Sequence, residues 1–395
     1  MSLLKKNKHK EEKALIIVQE NQEECSKLIE QSFLKDFLKD SITDISYNGT
    51  VFYALDNDIG RYKLDINVDN ESIYNLIKKI ANYMLKPFSI KNPILDVSFN
   101  NFRLSAVHPL VARCNNQKVI TFSLRMIAPI LRIKINDPSL CMIETHELLK
   151  ALVKSYKTIL ISGQTGSGKT ELQKYLISFV NSNDRLIIIE ESYETHLKEI
   201  FPNLDITTWL CDTNEIDKLS SLIRLSLRNN PDWLIIAETR GQEAYDVIQA
   251  AMTGHSAITT IHSESCEYTL DRIIQLCKKK IDFDEKMMLK IMAEHLKIGI
   301  HMEKVFDENQ RKFIRRINEI CEYVPEKEGY SVNVLYQIKQ DEKGKEKVYF
   351  GNISLDLKKC FIKHNVDLSS LKKFIKKEEN KNEKKQKSNS KLYPR

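Results

Sequence analysis

The chain has 395 residues, 42% apolar and 29% charged, enough to bury a substantial core in about two domains. Those proportions exclude a disordered chain, a collagen-like repeat and a disulfide miniprotein. Net charge is +7, but residues 372–395 hold ten Lys or Arg against three Glu, so the basicity belongs to a tail and the rest of the chain is balanced.

From the start to about residue 40, Lys/Glu clusters alternate with Leu28, Ile29, Phe33, Phe37 and Leu38, a spacing that suits an amphipathic helix. This stretch, 1–40, reads as a helical N-terminal extension. Ile42 to Val68 reads as short strands broken at Asn48-Gly49 and Ile59-Gly60, both hairpin signals. A helix from Ser72 to Leu85 follows, ending before Pro87. Strands at Ile94–Val97, Phe102–Val107 and Val119–Arg125 complete a small α+β domain, 41–135, with residues 136–148 as a linker that opens on Asn136-Asp137-Pro138.

The pattern then changes. Lys157–Ser162, Arg185–Glu191, Asp232–Glu238 and Ser256–His262 are apolar runs of strand length, separated by helical periodicity at 169–180, 214–228 and 241–252. Strand and helix alternating in this way predict a mostly parallel sheet covered on both faces, an α/β domain over 149–325. A smaller strand and helix region, 326–371, and the basic flexible tail, 372–395, close the chain.

The eight cysteines are scattered with no CxxC pair, so they read as buried small apolar residues in a reducing compartment. The opening MSLLKKNKHKEEK has no apolar stretch behind its basic residues, and no 18 uncharged apolar residues run together. The expectation is a protein neither exported nor membrane-spanning.

Glycine is scarce at eleven residues, yet three fall between 163 and 168. Gly163-Gln164-Thr165-Gly166-Ser167-Gly168-Lys169-Thr170 satisfies the GxxxxGK[ST] phosphate-binding pattern, with an apolar strand before it and a helix opening at its Lys. Glycines let backbone N–H groups turn inward on an anion without Cβ interference, and the helix adds its positive end. Lys169 then reaches the β- and γ-phosphates of ATP and Thr170 ligates Mg²⁺; Glu171 follows in the first turn.

Such a loop needs one acid on the metal's water shell and another to orient the attacking water. Two apolar strands supply candidates, LIIIEE at Glu190-Glu191 and DWLIIAE at Glu238, and spacing alone does not divide the roles. GHSAITTIH runs from Gly254-His255 to His262 at a strand end. Arg224, Arg228, Arg240 and Arg272 flank these segments and could neutralise phosphate charge.

With these residues in place, the sequence resembles the motor ATPases of type II/type IV secretion and pilus assembly, hexameric enzymes of the RecA-like class. IEESYE (189–194) resembles the family's acidic box, LRNNPDWLIIAETRG (227–241) its atypical Walker B, and TGHSAITTIH (253–262) its histidine box. ITDISYNG (42–49), FRLSAVHP and TFSLR resemble its N-domain strands, so residues from roughly 40 to 325 are covered. ETRGQEAYDVIQAAMTGH and the compact N-domain fit the tight-adherence pilus and conjugation-type branch best.

The resemblance implies a RecA-like P-loop NTPase domain preceded by a small α+β N-terminal domain. It makes Glu190 the water-activating acid, Glu238 the Walker B group on the Mg²⁺ shell, Arg240 a charge-stabilising residue, and His255 and His262 phosphate-sensing or interface residues. Arg103 and Arg125 match N-domain arginines that close over the nucleotide. Four features depart from the family pattern: Glu191 stands where Asp is usual, Asn229-Asn230 replace a basic residue, LRM at 124–126 lacks a Lys, and Asn100-Asn101 replace the glycine before Arg103.

The implied protein is an ATP-hydrolysing homohexamer, cytoplasmic and peripheral at the membrane's cytoplasmic face, working on an inner-membrane platform protein with no specific nucleic acid. The basic tail would serve as a solubilising end or add attraction to anionic lipids. Two other classes are open at this point. A RecA-like nucleic-acid translocase or helicase would show salt-dependent DNA affinity surviving deletion of 372–395; a nucleotide-switched scaffold would bind ATP without phosphate release.

Overall fold

The computed structural model describes residues 18–211, 216–308, 310–342 and 344–375. The first 17 residues of the expected extension, and the basic tail from 376 onward, lie outside the described residues.

Helix α1 (18–30) opens the described chain. Strands β1 (Ile42–Tyr47), β2 (Phe52–Asp56) and β3 (Gly60–Leu64) follow, then helix α2 (Asn70–Tyr83). Next come β4 (Ile94–Phe99), β5 (Phe102–Val107), the short pair β6 (Arg113–Cys114) and β7 (Gln117–Lys118), and β8 (Thr121–Met126). Leaving out β6 and β7, these strands form one antiparallel sheet in the order β3-β2-β1-β8-β5-β4.

Helix α2 starts where the Asp69 carboxylate accepts the Ser72 N–H at 2.7 Å, an N-cap that satisfies one of the helix's unmet donors. Its buried face is Ile73, Ile77 and Ile80, spaced for one side of a helix. The segment read as an extension is not peripheral: Cys25, Ile29 and Leu34 are buried in the same core as Ile45, Phe52 and Leu124. Its Lys/Glu-rich solvent side hides that role from a composition argument.

The second half carries α3 (Ile143–Lys154), β9 (Ile159–Gly163), α4 (Lys169–Ile177), β10 (Arg185–Glu190), α5 (Leu197–Ile200), β11 (Asp205–Leu210), α6 (Ile216–Ser226) and β12 (Trp233–Ile236). It continues with α7 (Ala244–Met252), β13 (Ser256–Ile261), α8 (Thr269–Cys277), α9 (Glu285–His295), β14 (Ile298–Asp307), β15 (Lys312–Pro325), β16 (Tyr330–Gln340), β17 (Glu346–Phe350) and α10 (Leu355–Lys363).

Two compact units result. Of the described residues, one holds those up to Arg132 with Ser182–Glu238 and Lys304–Arg315; the other holds Ile133–Asn181, Thr239–Glu303 and those from Arg316. Within the first, β11, β10 and β12 are parallel neighbours in that order. Phe313 N–H donates to the Asp58 carbonyl at 2.8 Å, so the start of β15 is anchored on the β2–β3 hairpin turn.

Within the second unit the strand order is β13-β9-β14-β15-β16-β17, parallel around β9 and antiparallel from β15 to β17. Every residue of β9, β12 and β13 is buried, as parallel strands covered on both faces require. The stretch expected as a separate C-terminal region joins this sheet: β16 pairs with the 14-residue β15.

None of the eight cysteines forms a disulfide, and six are buried. Among the described residues no helix is long and apolar enough to cross a membrane.

Candidate functional site

Strand β9 ends at Gly163 and helix α4 opens at Lys169, which places the glycine-rich loop between them. Gly163, Gly166 and Gly168 have φ of +147°, +75° and +94°, values that favour glycine. A Cβ on Gly163 would lie 2.4 Å from the Met302 carbonyl oxygen and 2.6 Å from Ser167 Oγ. Gln164, Thr165 and Gly166 are exposed, while Ser167 is buried and Lys169 nearly so. The Lys169 ammonium lies over the loop, donating to the carbonyls of Gly163 at 2.9 Å and Gln164 at 3.0 Å. Thr170 and Glu171 are half-buried in the first turn of α4, and Glu171 pairs with the buried Lys174 at 3.2 Å.

One flank of the loop holds a residue that lies outside the sequence motifs. His301 on β14 stands opposite Ser162 in the parallel register, with its Nδ1 2.9 Å from Ser162 Oγ. Burial, with the Lys169 charge nearby, pulls the His301 pKa down to about 4, so the ring is neutral at physiological pH. IGIH sets a histidine behind a short apolar run just as ITTIH does, a faint signal in the sequence.

In the first unit, β10 ends on Glu190, which is 2% exposed. Its Oε2 accepts the backbone N–H groups of Glu194 at 3.1 Å and Thr195 at 3.0 Å, and its Oε1 accepts the Thr195 hydroxyl at 3.2 Å. Burial raises its pKa to about 7 despite these hydrogen bonds, with the Glu194 charge adding to the rise. Thr195 was not legible as part of a site.

Strand β12 stops at Ile236, so Glu238 lies two residues beyond it, half-buried. Arg240 is exposed; its N–H and that of Gly241 both donate to the Glu243 carboxylate at 2.7 Å. Glu243 thus shapes the turn that leads into α7, a role the sequence did not announce. Strand β13 likewise ends at Ile261, leaving His262 exposed just past it. His255 lies before the strand, its Nδ1 3.1 Å from Thr253 Oγ1.

The two N-domain arginines are engaged with carboxylates. Arg103 contacts Asp96 through Nε at 3.4 Å and Nη2 at 3.3 Å, and Glu194 through Nη1 at 3.1 Å. Arg125 donates from Nε to Asp44 at 3.0 Å. The structure therefore brings together Arg103 and the acidic segment, and Lys169 and its loop.

These residues sit in a chain with known relatives. The family described as type II/IV secretion system protein matches residues 97–385. An uncharacterized protein of Bacillus anthracis is 34% identical over 316 residues, covering 78% of this chain and 69% of that one. The type IV secretion system protein VirB11 of Brucella suis is 37% identical over 130 residues, covering 32% of this chain and 36% of its own length. This chain therefore spans only about a third of VirB11. Among solved structures, the ATPase DotB of Yersinia pseudotuberculosis superposes with a TM-score of 0.56 at 15% identity, over 73% of this chain and 77% of DotB. That likeness carries the fold: a RecA-like domain preceded by an N-terminal α+β domain. Matched by that family over most of its length, the chain is a member of the type II/IV secretion system proteins.

Proposed function

We propose that the chain is an ATP-hydrolysing motor that powers secretion or pilus assembly. The observation that carries the reading is the loop from Gly163 to Thr170, with three left-handed glycines and a lysine ammonium laid across it at the start of α4. A glycine loop of this kind at the positive end of a helix suits a polyphosphate.

Magnesium fits the donors present. Mg²⁺ is held by one or two protein oxygens beside phosphate oxygens rather than by a protein cage, and the Thr170 hydroxyl and the Glu238 carboxylate are groups of that kind. When bound, it would neutralise charge on the triphosphate.

The remaining roles belong to the chain. Lys169 binds the β- and γ-phosphates of ATP. Glu190 takes a proton from the attacking water, and a carboxylate with a pKa near 7 is well matched to that task. Arg240 offsets developing charge, and His255 and His262 respond to the phosphate or to a neighbouring copy. The working form is a homohexamer docked on an inner-membrane platform protein at the cytoplasmic face.

Phosphate release by the full-length chain tests the reading, beside Lys169→Ala and Glu190→Gln. Lys169→Ala should lose both ATP binding and turnover, whereas Glu190→Gln should keep binding and lose turnover. A well-folded, unsubstituted hexamer that releases no phosphate would overturn it.

A further inference from the structure

The water-activating carboxylate of the proposed reaction is oriented by its own loop. All three donors to the Glu190 carboxylate come from Glu194 and Thr195. Residues 191–196 contain no helix or strand, so the aim of Glu190 depends on what holds that turn.

The Glu194 side chain holds it. Its Oε1 accepts the Ser192 hydroxyl at 2.9 Å and Nη1 of Arg103 at 3.1 Å. Nη1 of Arg103 also lies 3.4 Å from Ser192 Oγ. Arg103 stands on β5, where Asp96 of the neighbouring strand β4 takes its Nε and Nη2. The guanidinium is a planar fork with fixed donor directions. Gripping Asp96 with one edge, it presents Nη1 to the turn in one geometry. The Arg103 and Glu194 side chains are 32% and 29% exposed, sheltered enough for the pair to act as more than a solvated surface contact. Asp96, Arg103, Glu194 and Glu190 thus form a continuous relay inside the first compact unit.

We infer that Glu194 is a positioning residue that couples Arg103 to Glu190, so that the guanidinium fixes the turn from which Glu190 is aimed. The inference rests on the reading that Glu190 activates water. It gives Arg103 a place in the reaction that needs no contact with nucleotide. The carboxylate is held without being used up: two hydrogen bonds end on Oε2 and one on Oε1, which leaves Oε1 acceptor capacity for a water.

The test uses the full-length chain with Arg103→Ala, Glu194→Gln and the double substitution. Each single change should lower kcat about tenfold, as a misaimed catalytic group does, with ATP affinity by calorimetry unchanged. The double variant should be no worse than either single one, because both cut the same relay. Arg103→Lys, which keeps the charge but not the fork, should recover part of the loss. Additive losses would overturn the relay, as would weakened ATP binding in Arg103→Ala alone, which would put the arginine on the nucleotide. Hydrogen exchange separates this from failure of the functional reading. The amides of Glu194 and Thr195 should exchange about tenfold faster in both single variants whether or not the chain turns over. Unchanged exchange there would sink the relay, whereas absent phosphate release from the unsubstituted chain would sink only the motor.

Discussion

Nδ1 of His301 lies 2.9 Å from the hydroxyl of Ser162, joining strand β14 to the last residue before Gly163. The contact ties the root of the glycine-rich loop to the neighbouring strand. Because the ring is buried and next to Lys169, it stays neutral down to about pH 4, whereas in the unfolded chain it takes a proton near about 6.5.

That difference sets a pH dependence. Between those values the unfolded chain binds the extra proton, so stability falls as pH drops from about 6.5 to about 4. The full loss is on the order of 3 kcal/mol. Glu190 works in the other sense: its folded pKa is raised to about 7, so it favours the folded state on acidification over the same range. Urea unfolding of the natural chain and of His301→Asn, at about pH 7 and about pH 4.5, isolates the histidine. The natural chain should lose roughly 2 kcal/mol more on acidification than the variant does.

Gly163→Ala and Gly166→Ala should differ sharply. At 163 the new Cβ meets a backbone carbonyl and the Ser167 hydroxyl, whereas at 166 nothing lies within 4 Å. Gly166→Ala should cost only the backbone strain of a positive φ, about 1–2 kcal/mol. Gly163→Ala adds a collision that a backbone must relieve, and should cost several kcal/mol with loss of ATP binding. Thermal melting and calorimetry check both.

Turnover should follow the ionisation of Glu190. As a base it must be ionised, so kcat/KM should fall on acidification with a midpoint near pH 7. The charge of Glu194 and the hydrogen bonds from Thr195 and Glu194 are the influences on that midpoint within its own loop. Phosphate release measured from about pH 5.5 to about pH 8.5 should show this limb in the natural chain. Glu190→Gln should be slow and flat across the range.

Tyr323 on β15 donates its hydroxyl to the Cys266 carbonyl at 2.8 Å, in a fully buried setting. Tyr323→Phe leaves that carbonyl without this donor, and should cost about 1–3 kcal/mol without changing the affinity for ATP. A Cβ on Gly299 would stand 2.4 Å from the same hydroxyl, so Gly299→Ala should be tolerated better in the Tyr323→Phe background. A double-mutant cycle by urea unfolding measures this.

Much of this protein is written locally. The P-loop is legible because scarce glycines, an apolar run before them and a helix after them all fall within about a dozen residues. The buried parallel strands β9, β10, β12 and β13 read as continuous apolar runs for the same reason: covered on both faces, they need no polar side. Strand β11 was missed. It lies at a sheet edge with only Ile206 buried, so its apolar signal is weak. Strands β14 and β15 are not legible either; in β15, KFIRRINEICEYVP scatters charged residues through the strand.

The sequence by itself determined the phosphate loop, the α/β class and the order of the boxes, because each depends on residues close together in the chain. Only the tertiary structure decided that Arg103 meets Glu194, 91 positions away, and that His301 meets Ser162, 139 positions away. Such pairs depend on strand register and on which side chains share a buried volume. Those are properties of the packed chain, and no short window of residues encodes them.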